Sequence, residues 1–436
     1  MPPKKAARKG AASGNPIFNR VAADIVRRVR LRTEATARTS RTGRATRSSA
    51  NTALIRRTAL QAERDSVADT ISSTWLRRRL KNTQNTRPNR DPRGIENPEQ
   101  HCYWNSVLQN LMHVPIFLNW IRSHTFTDRC QADIGPTQYP KQDVTKPKSC
   151  ARCEMKRLVE TYWGPTDPSI PIRMNDMALI SLKNIAFYTT QLDRPNQQDA
   201  HEALVFLLNE DHGLFKGDQT WRNQANAIFG MNVVPFYTCK TCGATRQGNA
   251  SEDYQLSLTV DWQLRTLIRT IQVHFQPESL DLACVKPKCK GRQVSSRPVI
   301  RAAPRVLIIH LQIYFLTADG TQKILHPLRI FEDLDLTPYQ ENTSTPLRYK
   351  LSGIVAHRGP RANSGHYVAC VRSAGTHGFY QISDSSPVRP LSAQEFTANP
   401  QTTPQHGSED ELDQDFLDYM LTYVRKDGGR MVTELR

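Results

Sequence analysis

The chain has 436 residues, 38% of them apolar and 8% aromatic, with a net charge of +18. That length exceeds one ordinary core, and the apolar content excludes wholesale disorder. No apolar run approaches the ~18–20 residues of a membrane helix, and no secretory signal opens the chain, which predicts a protein inside the cell and off the membrane.

The charge is unevenly placed. Residues 1–90 hold 22 Lys/Arg against five acids, a net +17, and the remainder is nearly neutral at +1. This stretch predicts a basic, mostly disordered arm, with a short amphipathic helix over Val21–Arg32. Its clusters Lys4-Lys5, Arg8-Lys9 and Arg77-Arg78-Arg79 are of the kind read by nuclear import or attracted to nucleic acid and other polyanions. A nuclear or cytoplasmic location is expected; a mitochondrial transit peptide ranks lower, because lysines crowd the start and no leucine precedes Leu31. The prolines of Asn82–Pro98 mark a linker.

Beyond the linker, Val107, Leu108, Leu111 and Met112 predict a helix from about Tyr103, and Ala200, Ala203, Leu204, Leu207 and Leu208 a second over Gln198–Asn209. After about residue 229 strands take over: Tyr254–Val260, Arg305–Phe315, then Lys350–His357 and His366–Arg372 flanking a glycine-containing loop at Arg358–Gly365. An acidic loop at Ser408–Asp418 precedes a last strand, Tyr419–Val424. Helices first and strands later predict an α+β fold.

Nine cysteines, an odd number, fit reduced thiols better than a disulfide framework. Cys102 precedes a helix, where the N-terminal dipole favours a thiolate; it is either a nucleophile or a small buried apolar residue. A nucleophile needs a base, an orienter and oxyanion donors. His366 at the start of a strand can be the base, Ser383-Asp384 closes the next strand and can orient it, and Asn97 can donate an amide. Cys239-x2-Cys242 and Cys284-x4-Cys289, 41 residues apart, supply four soft ligands for a tetrahedral zinc, or form a finger without metal. One zinc per chain is expected. Cys150-x2-Cys153 lacks a second pair and reads as a structural pair opening a helix, while Cys130 and Cys370 carry no distinguishable signal.

These motifs together resemble the ubiquitin-specific proteases. Gly94-Ile95-Glu96-Asn97 with Cys102-Tyr103-Trp104-Asn105-Ser106-Val107-Leu108-Gln109 is similar to the family's cysteine box, and Gln197-Gln198-Asp199-Ala200-His201-Glu202 to its second signature. Pro304–Leu311 resembles the central palm strand; Tyr349-Lys350-Leu351, His357-Arg358-Gly359, Gly365-His366-Tyr367-Val368 and Ser383-Asp384 resemble the histidine box, and Tyr419–Tyr423 the closing strand. The resemblance implies a papain-like α+β fold with thumb, palm and finger subdomains over residues 94–425, fingers at about 230–300, and a tail at 426–436. It implies a thiol hydrolase cutting after the C-terminal Gly of ubiquitin. Cys102 would be the nucleophile, His366 the base, Asn97 the oxyanion donor, and Ser383 or Asp384 the orienter. Asp199, Glu202 and Tyr367 would meet the ubiquitin tail, and the paired cysteines would hold structural zinc. Two departures stand out: Glu99-Gln100-His101 replaces Gly-Asn-Thr before the cysteine, and Ser383 replaces the usual Asp or Asn. A catalytically weak ubiquitin binder, or a chromatin protein held by its basic arm, are the alternatives.

Overall fold

The computed structural model describes residues 59–71, 91–97, 100–125, 130, 150–173, 197–208, 214, 218–261, 263–317, 320–398, 416–427 and 430–431. The helix expected at Val21–Arg32 and the arm up to residue 58 lie outside these, as do Pro98, Glu99 and the acidic segment before residue 416. The described residues belong to one unit, 57–436.

Its helical half begins with α1 (residues 59–71), α2 (Cys102–Met112) and α3 (Pro115–Arg122), followed by α4 (Ala151–Tyr162), α5 (Ala200–Leu207) and α6 (Gln219–Ile228). Two later helices are α7 (Leu267–His274) and α8 (Ala393–Thr397). Every residue of α2 is buried, so the four apolar positions read from the sequence are only part of a helix enclosed on all sides. It packs on α5, where the Trp104 and Phe206 rings lie 5.8 Å apart, and on strand β12 defined below. A buried network fixes it further: Tyr162 Oη donates to Gln109 Oε1 at 2.7 Å, Gln109 Nε2 to Arg93 O at 2.8 Å, and Arg93 N to Tyr162 Oη at 3.1 Å.

The strands are β1 (Met231–Cys239), β2 (Thr245–Gln247), β3 (Ser251–Asp253), β4 (Leu256–Thr259), β5 (Glu278–Asp281), β6 (Gln293–Ala302), β7 (Val306–Gln312) and β8 (Tyr314–Thr317). They continue as β9 (Gly320–Lys323), β10 (Asp333–Asp335), β11 (Arg348–Arg361), β12 (Ser364–Arg372), β13 (Phe379–Ile382), β14 (Arg389–Leu391) and β15 (Leu417–Asp427). The palm sheet runs β14-β13-β12-β11-β15-β7-β4, with β10 also on β11. Only β4 runs parallel to its neighbour, β7. The finger sheet runs β2-β1-β6-β5 with β3 on β1. Residues 230–300 are thus not fingers throughout: β4, paired to β7, and α7, packed against β4, return to the palm between finger strands.

Two expectations are corrected here. The segment Arg358–Gly365 is not an open loop but the tip of a hairpin, with strands reaching Arg361 and resuming at Ser364. Gly359 and Gly365 face each other across its bulge at φ 136° and 127°, and a Cβ on Gly365 would lie 2.0 Å from Arg358 O.

The second correction concerns the arm. Helix α1 lies within the stretch read as disordered, yet it buries Ala68 and Ile71 in the main core. Its acids meet palm cations: Asp65 pairs with Arg425 and, at 3.6 Å, with Arg305, and Asp69 pairs with Arg305 at 2.6 Å. Arg64 in turn donates to Gly230 O at 3.0 Å and to Glu252 at 2.7 Å. The overall +17 concealed this, because Asp65 and Asp69, two of its five acids, are local partners and not diluted arm charge. Side chains of Arg305 and Arg425 are each 8% exposed, so burial lowers the Arg305 pKa and the carboxylates answer it. Asp65→Ala is therefore expected to destabilise the chain by ~1–3 kcal/mol, a Tm loss of several degrees. A chain starting at residue 57 should melt like the full chain, and one starting at 91 well below it. Equal Tm values for the two truncations would show that α1 adds nothing.

Candidate active site

The site is built where the thumb meets the palm. α2 starts at Cys102, whose side chain is 3% exposed. Strand β12 carries His366 and Tyr367, and the turn after β13 carries Ser383 and Asp384. His366 Nε2 lies 2.8 Å from Ser383 Oγ, so of the two candidate orienters it is the serine that meets the imidazole.

Asp384 does something else. Its φ of 46° is left-handed, a conformation Asp tolerates better than most residues, and it turns the carboxylate back toward the nucleophile's loop. There Oδ2 accepts from Asn97 Nδ2 and Oδ1 from Asn105 Nδ2, each at 2.8 Å. The backbone repeats the join, with Ile95 N donating to Asp384 O at 2.9 Å. Gly94 is required beside it, since a Cβ would meet Asp384 O at 2.4 Å. Asn97 Oδ1 also accepts from His101 N at 2.8 Å, so both ends of the amide are fixed and one Nδ2–H remains for a ligand.

Gln197 and Gln100 complete the surroundings of the thiol. Gln197 Nε2 lies 3.4 Å from Cys102 Sγ, and Gln197 N donates to Gln100 Oε1 at 3.0 Å. Gln100 thus ties the second signature to the cysteine box. Neither Gln197 nor Asn105 was singled out from the sequence, although both lie inside quoted boxes; an amide side chain signals no chemistry until its partner is known.

Burial pushes the Cys102 thiol up to about 11, Asp384 adds to this, and a backbone hydrogen bond from Tyr367 opposes it. Burial also lowers the His366 imidazole, with Asp384 raising it and Arg358 lowering it. Both shifts favour the uncharged forms, and Cys102 Sγ is bonded to Gln197 and His366 to Ser383.

The three residues expected at a substrate tail behave differently. Asp199 caps α5, accepting from His201 N at 2.8 Å, and its two oxygens both receive Tyr419 Oη at 2.7 Å. Tyr367 is 1% exposed and donates to Ala362 O at 2.7 Å, so it faces the site through its backbone and not its ring. Glu202, in the first turn of α5, has no such partner among the described residues, and burial with Asp199 nearby pushes it up to about 7.

At the finger tip, one ligand atom each from Cys239, Cys242, Cys284 and Cys289 lies within 4.8 Å of the others. Cys239 and Cys289 sulfurs are 3.9 Å apart, and those of Cys242 and Cys284 3.6 Å. Backbone N–H groups of Lys286 and Gly291 point at Cys284 and Cys289 Sγ, each at 3.4 Å, and those of Cys242 and Thr241 lower the Cys239 thiol to about 6. Four sulfurs, three of them met by amide donors, fit zinc, and the four intervening residues of the second pair do not spoil the arrangement. The pair Cys150/Cys153 does open a helix, with Cys150 capping α4, but His124 and Cys130 stand against it, which spacing alone did not reveal.

A thumb of helices against a palm sheet, with Cys102 on the first and His366 on the second, makes a papain-like α+β fold. The family model described as ubiquitin carboxyl-terminal hydrolase matches residues 93–422, and the chain belongs to that family. Among curated relatives, mouse "Ubiquitin carboxyl-terminal hydrolase 17-like protein A" is 26% identical over 312 residues, covering 68% of this chain and 53% of that protein. Arabidopsis thaliana "Ubiquitin carboxyl-terminal hydrolase 25" is 27% identical, covering 66% of this chain and 43% of that protein. Human "Ubiquitin carboxyl-terminal hydrolase 22" is 26% identical, covering 64% and 59%. The chain therefore spans about half the length of the relatives it matches. In fold it is similar to a solved chain of the SAGA Ubp8/Sgf11/Sus1/Sgf73 DUB module bound to ubiquitin aldehyde. The TM-score is 0.59 at 20% identity, covering 82% of this chain and 76% of that one. The same module bound to monoubiquitin gives a TM-score of 0.61, also at 20% identity, with coverage of 82% and 76%.

The division of labour between the two turn residues is measurable in stability. Asp384→Asn replaces an acceptor with a donor facing two amides and should lower Tm by several degrees, ~2–3 kcal/mol. Ser383→Ala should leave Tm within about a degree. A neutral Asp384→Asn, with a destabilising Ser383→Ala, would reverse the roles assigned here.

Proposed function

We propose that the chain is a thiol-dependent deubiquitinase that hydrolyses the bond after the C-terminal Gly of ubiquitin on protein conjugates. The observation that carries this is that Asp384, next to the Ser383 that meets His366, also holds Asn97 on the loop leading to Cys102, in a fold belonging to the family.

The geometry suits each step. With its proton on Nε2, His366 donates to the Ser383 hydroxyl and keeps the Nδ1 lone pair for the thiol. Entry of a ubiquitin tail displaces Gln197 from Cys102 and brings Sγ to the carbonyl carbon. Proton transfer from thiol to imidazole creates the nucleophile only then, so the raised resting pKa protects Cys102 until substrate arrives. The S–C bond forms, and the oxyanion takes the remaining N–H of Asn97 and the backbone N–H at the start of α2. The imidazolium then gives its proton to the leaving amine as the C–N bond breaks. Water, deprotonated by the same imidazole, hydrolyses the thioester and restores the thiol. Ser383 stabilises the imidazolium less than a carboxylate would, which supports slower turnover than in relatives carrying Asp there.

Glu202 is the carboxylate best placed for an arginine of the ubiquitin tail, with Asp199 lending field from behind and the Tyr367 backbone bordering the cleft. The finger zinc would hold its tip rigid, with Cys239, Cys242, Cys284 and Cys289 as ligands. The +17 of residues 1–90 supports a role beyond α1 as a nuclear address or a tether to nucleic acid or another polyanion. A second reading, a binder that cleaves poorly, is favoured by the neutral resting thiol.

Turnover of a ubiquitin C-terminal amide tests the proposal. Cys102→Ala should abolish it without changing Tm, and Ser383→Ala should lower kcat by about one to three orders of magnitude. A wild-type chain that binds ubiquitin but leaves the amide intact would establish the second reading. Using Cys102→Ala as a binding form, ubiquitin affinity should rise by about three- to tenfold between pH 6 and 8, because Glu202 ionises as pH passes about 7 and only its carboxylate attracts an arginine. Glu202→Gln should flatten that dependence; an unchanged slope would take Glu202 out of the tail site.

A further inference from the structure

His366 rides on a hairpin that outruns the sheet behind it. β15 accompanies β11 only as far as His357, which pairs with Leu417, the first residue of β15. Beyond that point β11 and β12 project as a pair, with Arg358 opposite His366 and a register shift before Arg361. Carbonyls two residues apart on a strand point to the same edge, so those of His357 and Gly359 open where β15 ends. Lys323, the last residue of β9, fills that place. Its Nζ donates to His357 O at 3.1 Å and to Gly359 O at 2.9 Å, the carbonyls on either side of Arg358.

The ammonium is itself held. Tyr314 is the cross-strand partner of Lys323 in the β8–β9 pair, and its ring centre lies 5.7 Å from Nζ. Tyr314 Oη and Lys323 Nζ stand 2.7 and 3.4 Å from His357 Nδ1. An ammonium can only donate, which makes Nδ1 an acceptor and His357 a neutral imidazole. The His357 ring in turn lies 4.2 Å from that of Tyr367, the neighbour of His366. We propose that Lys323 is a positioning residue for the general base: by gathering the two carbonyls that flank Arg358 it stands in for a missing sheet neighbour and sets where His366 lies relative to Cys102.

The tip needs such a brace, because Gly359 and Gly365, at φ 136° and 127°, give it little stiffness of its own. Lys323 works through the backbone, whereas the charges acting on the His366 imidazole are those of Asp384 and Arg358. Loss of the ammonium should therefore misplace the base without retuning it. The inference rests on the hydrolase reading for what His366 does, while the seat of Lys323 on the hairpin stands without it.

Turnover of a ubiquitin C-terminal amide by the full chain tests it. Lys323→Met keeps the stem and removes the ammonium, and kcat should fall by about 10- to 100-fold with KM within about twofold of wild type. Lys323→Arg, whose guanidinium can bridge two carbonyls, should recover to within about fivefold. In single turnovers Lys323→Met with His366→Ala should be no slower than His366→Ala alone, since a misplaced base ceases to matter once the base is gone. The midpoint of the acid limb of kcat should not move. An unchanged kcat in Lys323→Met, a loss confined to KM, a moved midpoint, or losses that multiply in the double variant would each overturn the proposal. Should Lys323→Met fail to fold, Tyr314→Phe reads the same clamp: a kcat lowered by about three- to tenfold supports it and an unchanged kcat contradicts it. A wild-type chain without turnover counts against the hydrolase reading instead, and the same cycle is then read in the rate at which iodoacetamide alkylates Cys102. Slowing by each single variant, with no further slowing in the double, supports the clamp; a Lys323→Met rate equal to wild type contradicts it.

Discussion

The carboxylate of Asp384 is the contact on which the active site depends. It is placed by a left-handed turn at the end of β13, and it holds two amides, Asn97 and Asn105, that belong to the opposite half of the molecule. Apolar packing, strong but unspecific in direction, also joins thumb and palm, and Tyr419 on Asp199 adds a second polar contact. Two hydrogen bonds to one charged acceptor supply direction. They bring the start of α2, and so Cys102, into register with β12 and His366. The neighbouring Ser383 is freed by this for the imidazole, so two adjacent residues serve the two halves separately.

The electrostatics follow from that closure. A cleft tight enough to bury Cys102 keeps the thiol protonated, and the carboxylate that aligns the site adds to the effect. Alignment and activation therefore pull in opposite directions in the resting state. The chain reconciles them by pairing the thiol with an amide, Gln197, and the imidazole with a hydroxyl, Ser383, neither of which carries charge. On the proposed mechanism the nucleophile is made when substrate excludes those partners.

Much of this was legible in the sequence because it depended on local pattern. Cys102, His366, Asn97 and the finger cysteines sit in short motifs whose joint resemblance to one family marked them as candidates. The α+β order followed from periodicity, since α2 and α5 carry apolar residues at helical spacing and β7 is an apolar run. What the sequence hid was long-range pairing. Asp384 and Ser383 are adjacent, and only the sign of one φ decides which faces the histidine. Asp65 and Asp69 looked like minor acids in a cationic arm until Arg305 and Arg425, more than two hundred residues away, were seen to need them. Cys130 carried no signal because its partner His124 is not a cysteine and its other partners lie beyond residue 149. The hairpin at Arg358–Gly365 looked like a loop because its glycines mark a bulge as readily as a turn.

The central claim is that Cys102 attacks the terminal carbonyl carbon of ubiquitin with His366 as its base. Incubation of the purified chain with ubiquitin bearing a C-terminal electrophile, followed by proteolysis and peptide mass mapping, tests it most directly. The account predicts a single covalent adduct, on the peptide containing Cys102, formed far more slowly by His366→Ala. An adduct on any other of the nine cysteines, or equal labelling of the histidine variant, would contradict it.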